Sequence, residues 1–519
     1  MSKPINIDDK FDSGVLNIAL DTIKIGKQAL VFVNTKKSAE KTAEDISKKL
    51  KTDSTELINL ADKALDVLSK PTKQCERLAF CLKKGIAFHH AGLTQKQKDI
   101  IEDNFRKGAI SIICCTPTLA YGVDLPAYRA IIKDLRRYTM HGLSWIPILD
   151  YMQMSGRAGR PNYDKEGQSI VIALTNSEKE KIEERYLEGS PEDIYSKLAV
   201  EPVLRTHVLS LIAANFITTK KELYEFFDRT FYAYQFKDLR RLHGTINKVI
   251  DLLDDWEFIM SSRDEFSSAN ELEDEKLKAT LIGKRVAELY IDPLTAYFII
   301  TCMRNASDKK VDAFSFLQMI SRTLEIRPIM RVGIREHDKI QESLFEFSDL
   351  LLENEPSMYE PEYEDFLNSI KTAMMFNHWI SEKDEEFLLE EYNIRPGEIK
   401  VKLDIADWLL YATEEISKIM HYQSLIKEIV KLRLRLKYGV KEELLPLVRM
   451  ENIGRVRARI LFRNRLKDIK DIKNTDLSTL TQLIGEKTAL SIKKQLGQEL
   501  KSVPQNKRKG QISLRDYGE

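Results

Sequence analysis

The chain of 519 residues exceeds what one hydrophobic core can organise, so about three to five domains are expected. At 43% hydrophobic and 31% charged residues, the composition is that of a globular protein and excludes a disordered chain. Apolar runs of about 18 residues are absent and the opening MSKPINIDDKF lacks a signal-like apolar core, so neither a membrane span nor secretion is expected.

Five cysteines, at 75, 81, 114, 115 and 302, have neither zinc-site nor disulfide-framework spacing, which points to a reducing cytoplasm and to no metal site. The net charge of +1 conceals an asymmetry. Residues 431–519 carry 22 Lys/Arg against 10 Asp/Glu, a net of +12, and the remainder is at −11. Such separation suggests an anion-binding end, with nucleic acid the common partner and a solvated basic tail the plain alternative.

In chain order, residues 1 to about 185 alternate strand and helix signals. ALVFV (29–33), IAFHH (86–90), ISIIC (110–114) and SIVIAL (169–174) are short apolar runs, separated by helical patterns such as 38–50 and 95–108. Alternation of this kind predicts a parallel sheet covered on both faces, with ligands beyond the carboxyl ends of the strands. From about 195 the pattern is mainly helical. Residues 203–255 read as about three helices, followed by a strand at 258–262 and a second near 276–285, the order of a winged helix. Long amphipathic helices fill 297–440, interrupted by an acidic loop at 353–366, and SVPQNKRKG (502–510) reads as a flexible linker.

The sharpest motif is QMSGRAGRP, Gln153 to Pro161. Arg157 and Arg160, flanked by Gly156 and Gly159, make a compact cationic surface that phosphate can approach closely. An arginine brought to a transferring γ-phosphate stabilises its developing charge. Upstream, CCTPTLAYGVDLPA (114–127), IAFHHAGL (86–93) and ALVFVNTKKSAEKTA (29–43) each leave a strand for a polar loop. All would gather at one sheet edge.

These four segments resemble the second RecA-like domain of superfamily 2 helicases of the Ski-like branch, and the later helices sharpen the likeness to archaeal HelQ-type DNA helicases. The resemblance implies that Arg157 and Arg160 sense nucleotide phosphates, with Arg160 the finger, and that Gln153 couples nucleotide to nucleic acid. It places Gly122 and Asp124 near the inter-domain nucleotide site, and Thr35, His90 and Thr116 against the nucleic acid strand. ATP and Mg2+ would be held mainly by the first RecA-like domain. That domain is not represented here: the sequence has no G-x-x-x-x-G-K-[ST] loop and no DExH box after an apolar strand. The chain alone is therefore expected not to hydrolyse ATP; either a separate polypeptide carrying the P-loop domain is its partner, the favoured expectation, or the sequence is a fragment of a longer protein.

Between the two best motifs, residues 127–153 read as a β-hairpin spanning about 128–150 and turning at Thr139–Ser144, with Arg136, Arg137, Tyr138 and Met140 near the tip. Ski-like DNA helicases carry a strand-separating hairpin at this place. The helix from about Pro396 to Met420 has one apolar stripe of Ile399, Leu403, Ala406 and Leu410 and another of Val401, Ile405, Trp408 and Ala412. Two apolar stripes mean burial in a bundle or one face toward a ligand. By resemblance this is the ratchet helix, with Trp408 stacking on single-stranded DNA and Lys400 or Lys402 as its basic companion.

Near the end, MENIGRVRARILF (450–462) and TQLIGEKTALSI (481–492) form a loose repeat with Gly454 and Gly485 31 residues apart. This resembles a helix-hairpin-helix, whose glycine turns and helix N-termini bind phosphates without reading sequence. Arg455, Arg457 and Arg459 thicken the first copy, with Arg463 and Arg465 beyond. The last residues place Gln511, Leu514 and Tyr517 at the spacing of a degenerate sliding-clamp peptide.

The expected architecture is an α/β RecA-like domain followed by mainly α domains. The boundaries are 1–190 for the RecA-like domain, 195–295 for a winged helix, 296–440 for a helical ratchet bundle, 441–500 for a helix-hairpin-helix and 501–519 for the tail. The expected function is the C-terminal part of an ATP-dependent DNA helicase acting on single-stranded and branched DNA in repair or replication-fork processing, located in the cytoplasm at the nucleoid. The alternatives are a non-catalytic nucleic-acid-binding adaptor derived from a helicase, or part of a Ski-like RNA helicase.

Overall fold

A computed structural model describes residues 6–51, 54–139, 142–159, 164, 166–262 and 275–498. Met140, Arg160, Gln511, Leu514 and Tyr517 lie outside the described residues. The described chain divides into two compact units, one within Met1–Val200, Glu225–His243 and Asp384–Lys402, the other within Glu201–Tyr224, Gly244–Lys383 and Leu403–Glu519. Two segments thus depart from the expected boundaries, since 225–243 and 384–402 pack with the α/β unit.

In the first unit the strands are β1 (Ala29–Phe32), β2 (Ile86–His89), β3 (Ile112–Cys115), β4 (Arg129–Ile132) and β7 (Gln168–Val171), ordered β2-β3-β1-β4-β7 and parallel throughout. A hairpin of β5 (Arg136–Thr139) and β6 (Gly142–Trp145) leaves the sheet after β4. Every residue of β1 to β4 is buried, as a sheet covered on both faces requires. The helices are α1 (Gly14–Lys24), α2 (Lys36–Ser47), α3 (Thr55–Leu65), α4 (Lys73–Leu82), α5 (Gln95–Arg106), α6 (Leu119–Gly122), α7 (Ile148–Ser155) and α8 (Asn176–Ile182). Their starts are written in the sequence. Thr35, Ser54, Thr72 and Thr94 each accept an N–H of the first turn, and Thr94 with Gln97 forms a capping box.

The one buried charge in β4, Arg129 at its start, is matched by Asp21 at 2.6 Å, Gln168 at 2.7 Å and Thr22 at 3.0 Å. The cysteines are all buried, and burial pushes the Cys81 thiol up to about 12.

Residues 201–255 form four helices rather than three: Glu201–Ala213, Lys220–Phe227, Phe231–Phe236 and Leu239–Asp255. The extra break comes at Lys237, whose left-handed φ of 52° ends the short aromatic helix. The ribbon of β8 (Ile259–Ser261) and β9 (Leu277–Ala279) follows, antiparallel as expected. The acidic loop is shorter than expected, because Glu362–Ile380 is already helical. Pro361 presets the backbone there, and Glu362, Glu364 and Asp365 in the first turn suit the positive end of the helix dipole. Residues 440–492 enclose their own apolar cluster around Leu444, Leu447, Leu461, Leu480 and Ile492. Among the described residues no single helix is long and apolar enough to cross a membrane.

Candidate nucleotide and nucleic-acid site

Parallel strands align their carboxyl ends, so loops far apart in sequence meet along one edge. The loops after β1, β2 and β3 there line a groove of about 640 Å³, whose walls include Asn34, Thr35, Lys36, Thr116, Thr118 and Arg137. Thr35 is exposed and caps α2, accepting Ser38 N–H at 3.0 Å. Thr116 is nearly buried, and its hydroxyl lies 2.8 Å from that of Thr118. The groove therefore brings Thr35 and Thr116 together with the base of the hairpin, as the motif order predicts.

His90 is a correction. Expected to face the strand, it is fully buried beneath the groove. Its Nδ1 accepts Gly92 N–H at 3.1 Å, which leaves the proton on Nε2 to be donated to Glu40 at 3.2 Å. Burial holds His90 below its ordinary pKa. Glu40, 2% exposed, also takes Arg395 Nε at 3.1 Å and the guanidinium of Arg77. Burial alone would raise the Glu40 carboxyl, but the His90 hydrogen bond and the Arg395 and Arg77 charges outweigh it and hold it at about 2. The backbone contact beside this cluster is equally close. Gly397 N–H donates to Gly92 O at 3.0 Å, and a Cβ on Gly397 would fall 2.2 Å from Leu93 O. Only glycine fits there.

Beside the groove, α7 presents Gln153 outward and is capped by Gly156. Arg157 is less free than expected. Its guanidinium donates to the carbonyl of Ala120, Nε at 3.2 Å, and lies 3.8 Å from Asp124. The Asp124 side chain is 96% exposed, and Gly122 beside it faces open space. Arginine, amide and glycine at one edge suit one wall of a triphosphate site, and the P-loop N–H groups that would cradle the phosphates are not in this sequence. Among the described residues no cluster of three His, Cys, Asp or Glu side chains could hold a metal ion.

The hairpin also differs from expectation. Thr139 pairs with Gly142 and Arg137 with Ser144, so most of Thr139–Ser144 is strand rather than turn. Arg136 and Arg137 consequently sit at the base rather than the tip, with Arg136 stacked over Trp145 at 4.2 Å and Arg137 paired with Asp150 at 3.3 Å. Tyr138 stands opposite Leu143, one pair nearer the turn.

In the helix Pro396–Ile419, Ile399, Leu403, Ala406 and Leu410 are buried as predicted. The second stripe is graded, with Val401 58% exposed, Ile405 and Trp408 half-buried and Ala412 buried. Trp408 donates its indole N–H to Leu289 O at 3.0 Å, which pins one edge of the ring. Lys400 is exposed, whereas Lys402 is half-buried and burial lowers its ammonium pKa.

The arginines of the C-terminal end are largely engaged within the protein. Arg455 lies over Trp379 at 4.7 Å and donates to Lys383 O at 2.9 Å. Arg457 bonds Asn452 O at 2.9 Å, and Arg459 pairs with Glu382 and, at 2.7 Å, with Glu443. Arg463 and Arg465 are exposed. Gly485, at φ +84°, ends one helix and opens the next, a conformation suited to glycine.

Two family models match the chain: the helicase conserved C-terminal domain over residues 55–162, and domain 4 of archaeal helicases over residues 314–439. The ATP-dependent DNA helicase Hel308 of Pyrococcus horikoshii is 38% identical over 512 residues, covering 97% of this chain and 68% of the relative. The chain belongs to the Hel308 family. Hel308 of Pyrococcus abyssi is 38% identical over 503 residues (95% of this chain, 67% of the relative). Hel308 of Methanococcus vannielii is 37% identical over 515 residues (92% and 67%). The expected likeness to archaeal superfamily 2 DNA helicases is thereby met.

Sequence reasoning missed Glu40, Arg395, Tyr121 and Asp150 in this Hel308-family chain. For Glu40 a signal existed: it precedes Ala43 and Ser47 by three and seven residues, on the buried face of α2. Arg395, 355 residues away, carried none.

Proposed function

We propose that this chain supplies the second RecA-like domain and the DNA-handling domains of an ATP-dependent DNA helicase working at repair sites or replication forks. The observation that carries this reading is the convergence of Thr35, Thr116 and Arg137 on one groove, with Gln153 on the adjoining helix and Arg157 in the turn that follows it. A single strand would run along the groove, held through its phosphates by hydroxyl and basic groups and so without base reading. Arg157, joined by Arg160, would meet nucleotide phosphates when the P-loop domain closes on α7. Leu149 and Met152, 45% and 48% exposed beside Gln153, offer that domain an apolar surface. ATP with Mg2+ would be bound there and supply the free energy of each step. This chain's residues hold the strand, sense the phosphates and part the duplex at the hairpin.

Beyond the α/β sheet, residues 195–295, with their helices and ribbon, are read as a winged helix, and Pro396–Ile419 as the helix bearing the stacking Trp408. The glycine-turn pair at Gly454 and Gly485 is read as a helix-hairpin-helix binding backbone phosphates. The tail with Gln511, Leu514 and Tyr517 is read as a sliding-clamp ligand. The P-loop domain is proposed on a separate polypeptide. Mixing the chain with that polypeptide should produce DNA-stimulated ATPase and unwinding that neither shows alone. ATP hydrolysis by this chain alone, or no activity in the mixture, would overturn the proposal.

A further inference from the structure

The groove, the arginine helix and the hairpin meet at one carboxylate. Asp150, in the first turn of α7, accepts the Tyr121 hydroxyl on Oδ1 and Arg137 at 3.3 Å on Oδ2. Tyr121 belongs to α6, the turn that follows the Thr116–Thr118 loop, and its neighbour Ala120 is held by Arg157 from the far end of α7. Two adjacent residues of α6 are thus bonded to the first turn of α7 and to the turn that follows it. The amino end of α7 is fixed in turn by Glu192, which accepts the N–H groups of Ile148 at 2.8 Å and Leu149 at 3.3 Å.

The two side-chain contacts of Asp150 differ in strength. Arg137 is half exposed and reaches the carboxylate by one 3.3 Å contact, a pair that water and competing anions weaken readily. Arg137 also lines the groove where a strand phosphate would lie. A carboxylate beside a polyanion opposes binding through like-charge repulsion, and in the free protein Arg137 offsets that charge.

We propose that Asp150 is a positioning residue that reports strand occupancy to the arginine helix. A phosphate entering the groove draws Arg137 from Asp150, the carboxylate is left on Tyr121, and α7 with Gln153 and Arg157 shifts against α6. The exchange moves no covalent bond; one guanidinium changes anions. This rests on the helicase reading above, and names the residue through which nucleic acid stimulates hydrolysis.

The test is D150N in the complex with the P-loop polypeptide, using an oligo-dT strand. The expected result has opposite signs in two readouts: stimulation of ATPase by the strand falls about 10-fold, while strand affinity rises about 2- to 5-fold because a like charge has left the groove. A merely structural role would lower both together. Y121F, which removes one hydroxyl and no charge, should lower stimulation about 3-fold with strand affinity within about 2-fold, and keeps the test open should D150N fold poorly. Hydrogen exchange adds a third readout on the chain itself: the oligonucleotide should slow exchange in 116–122 and 148–157 in the wild type, but only in 116–122 in D150N. Full stimulation in both variants, or parallel loss of affinity and stimulation, would overturn the inference. A wild-type chain on which the strand slows exchange nowhere removes the groove reading and this inference with it.

Discussion

The sheet edge and the basic C-terminal end arrange their polar groups in opposite ways. At the sheet edge the groups are sparse in sequence and converge in space: Thr35 and Thr116 follow β1 and β3, Arg137 lies in β5, and all three line one groove. At the C-terminal end Arg455, Arg457 and Arg459 are dense in sequence and diverge. One stacks on Trp379, one caps its own turn and one is clamped between Glu382 and Glu443. Local charge density therefore overstates a binding surface, because a guanidinium beside a carboxylate is already paired. Of that row, Arg457, Arg463 and Arg465 are exposed.

The comparison breaks most visibly at Arg157. If the sheet edge is the chemical centre, R157A in the reconstituted helicase should lower the DNA-stimulated kcat by about 10³-fold, the lower range for removing a phosphate-facing arginine. R459A, measured beside it, should leave kcat within about 3-fold and instead lower the melting temperature. A comparable fall in kcat from both would erase the distinction.

Glu40 tests what holds the edge together. Removing one partner of a buried ion cluster leaves buried Arg395 without its carboxylate, while Arg77 keeps Glu44, so E40A should destabilise the first unit by about 3–5 kcal/mol in urea unfolding. Its pH dependence has a definite sign. The Glu40 carboxyl is depressed to about 2 from 4.5, so its contribution is complete above pH 4.5 and is lost as pH falls toward 2, amounting to about 3 kcal/mol. His90, held below its ordinary value by burial, adds to acid sensitivity below the unfolded histidine pKa of about 6.5. An acid limb that is unchanged in E40Q would assign the sensitivity elsewhere.

A smaller effect is expected at Trp408. Base stacking is worth about 1–3 kcal/mol, so W408A should weaken single-strand affinity by roughly 5- to 150-fold, with W408F restoring part of it. Unfolding of the variant would instead identify Trp408, through its bond to Leu289 O, as a packing residue. The smallest effect separates the arginines themselves. R463Q and R465Q should each flatten the salt dependence of DNA affinity by about one unit of slope, and R459Q should leave that slope unchanged.

The sequence by itself determined the parallel α/β architecture and the family. Strand and helix periodicities are local, the capping residues Thr35, Ser54, Thr72 and Thr94 mark helix starts, and QMSGRAGRP with its three upstream loops is specific in order. It also placed Ile399, Leu403, Ala406 and Leu410 on a buried face, since 3.6-residue spacing alone decides which side chains share a stripe. Only the tertiary structure decided whether each polar group faces water or a partner. His90 turned inward because Glu40 and Gly92 N–H wait there, and Glu40 in turn needs Arg395 from 355 residues away. The hairpin's arginines moved from tip to base because strand register, set by cross-strand pairing, converts most of the expected turn into ladder. Asp150 looked like one more acidic residue at a helix start, and its place between Tyr121 and Arg137 exists only once three loops are folded onto one edge.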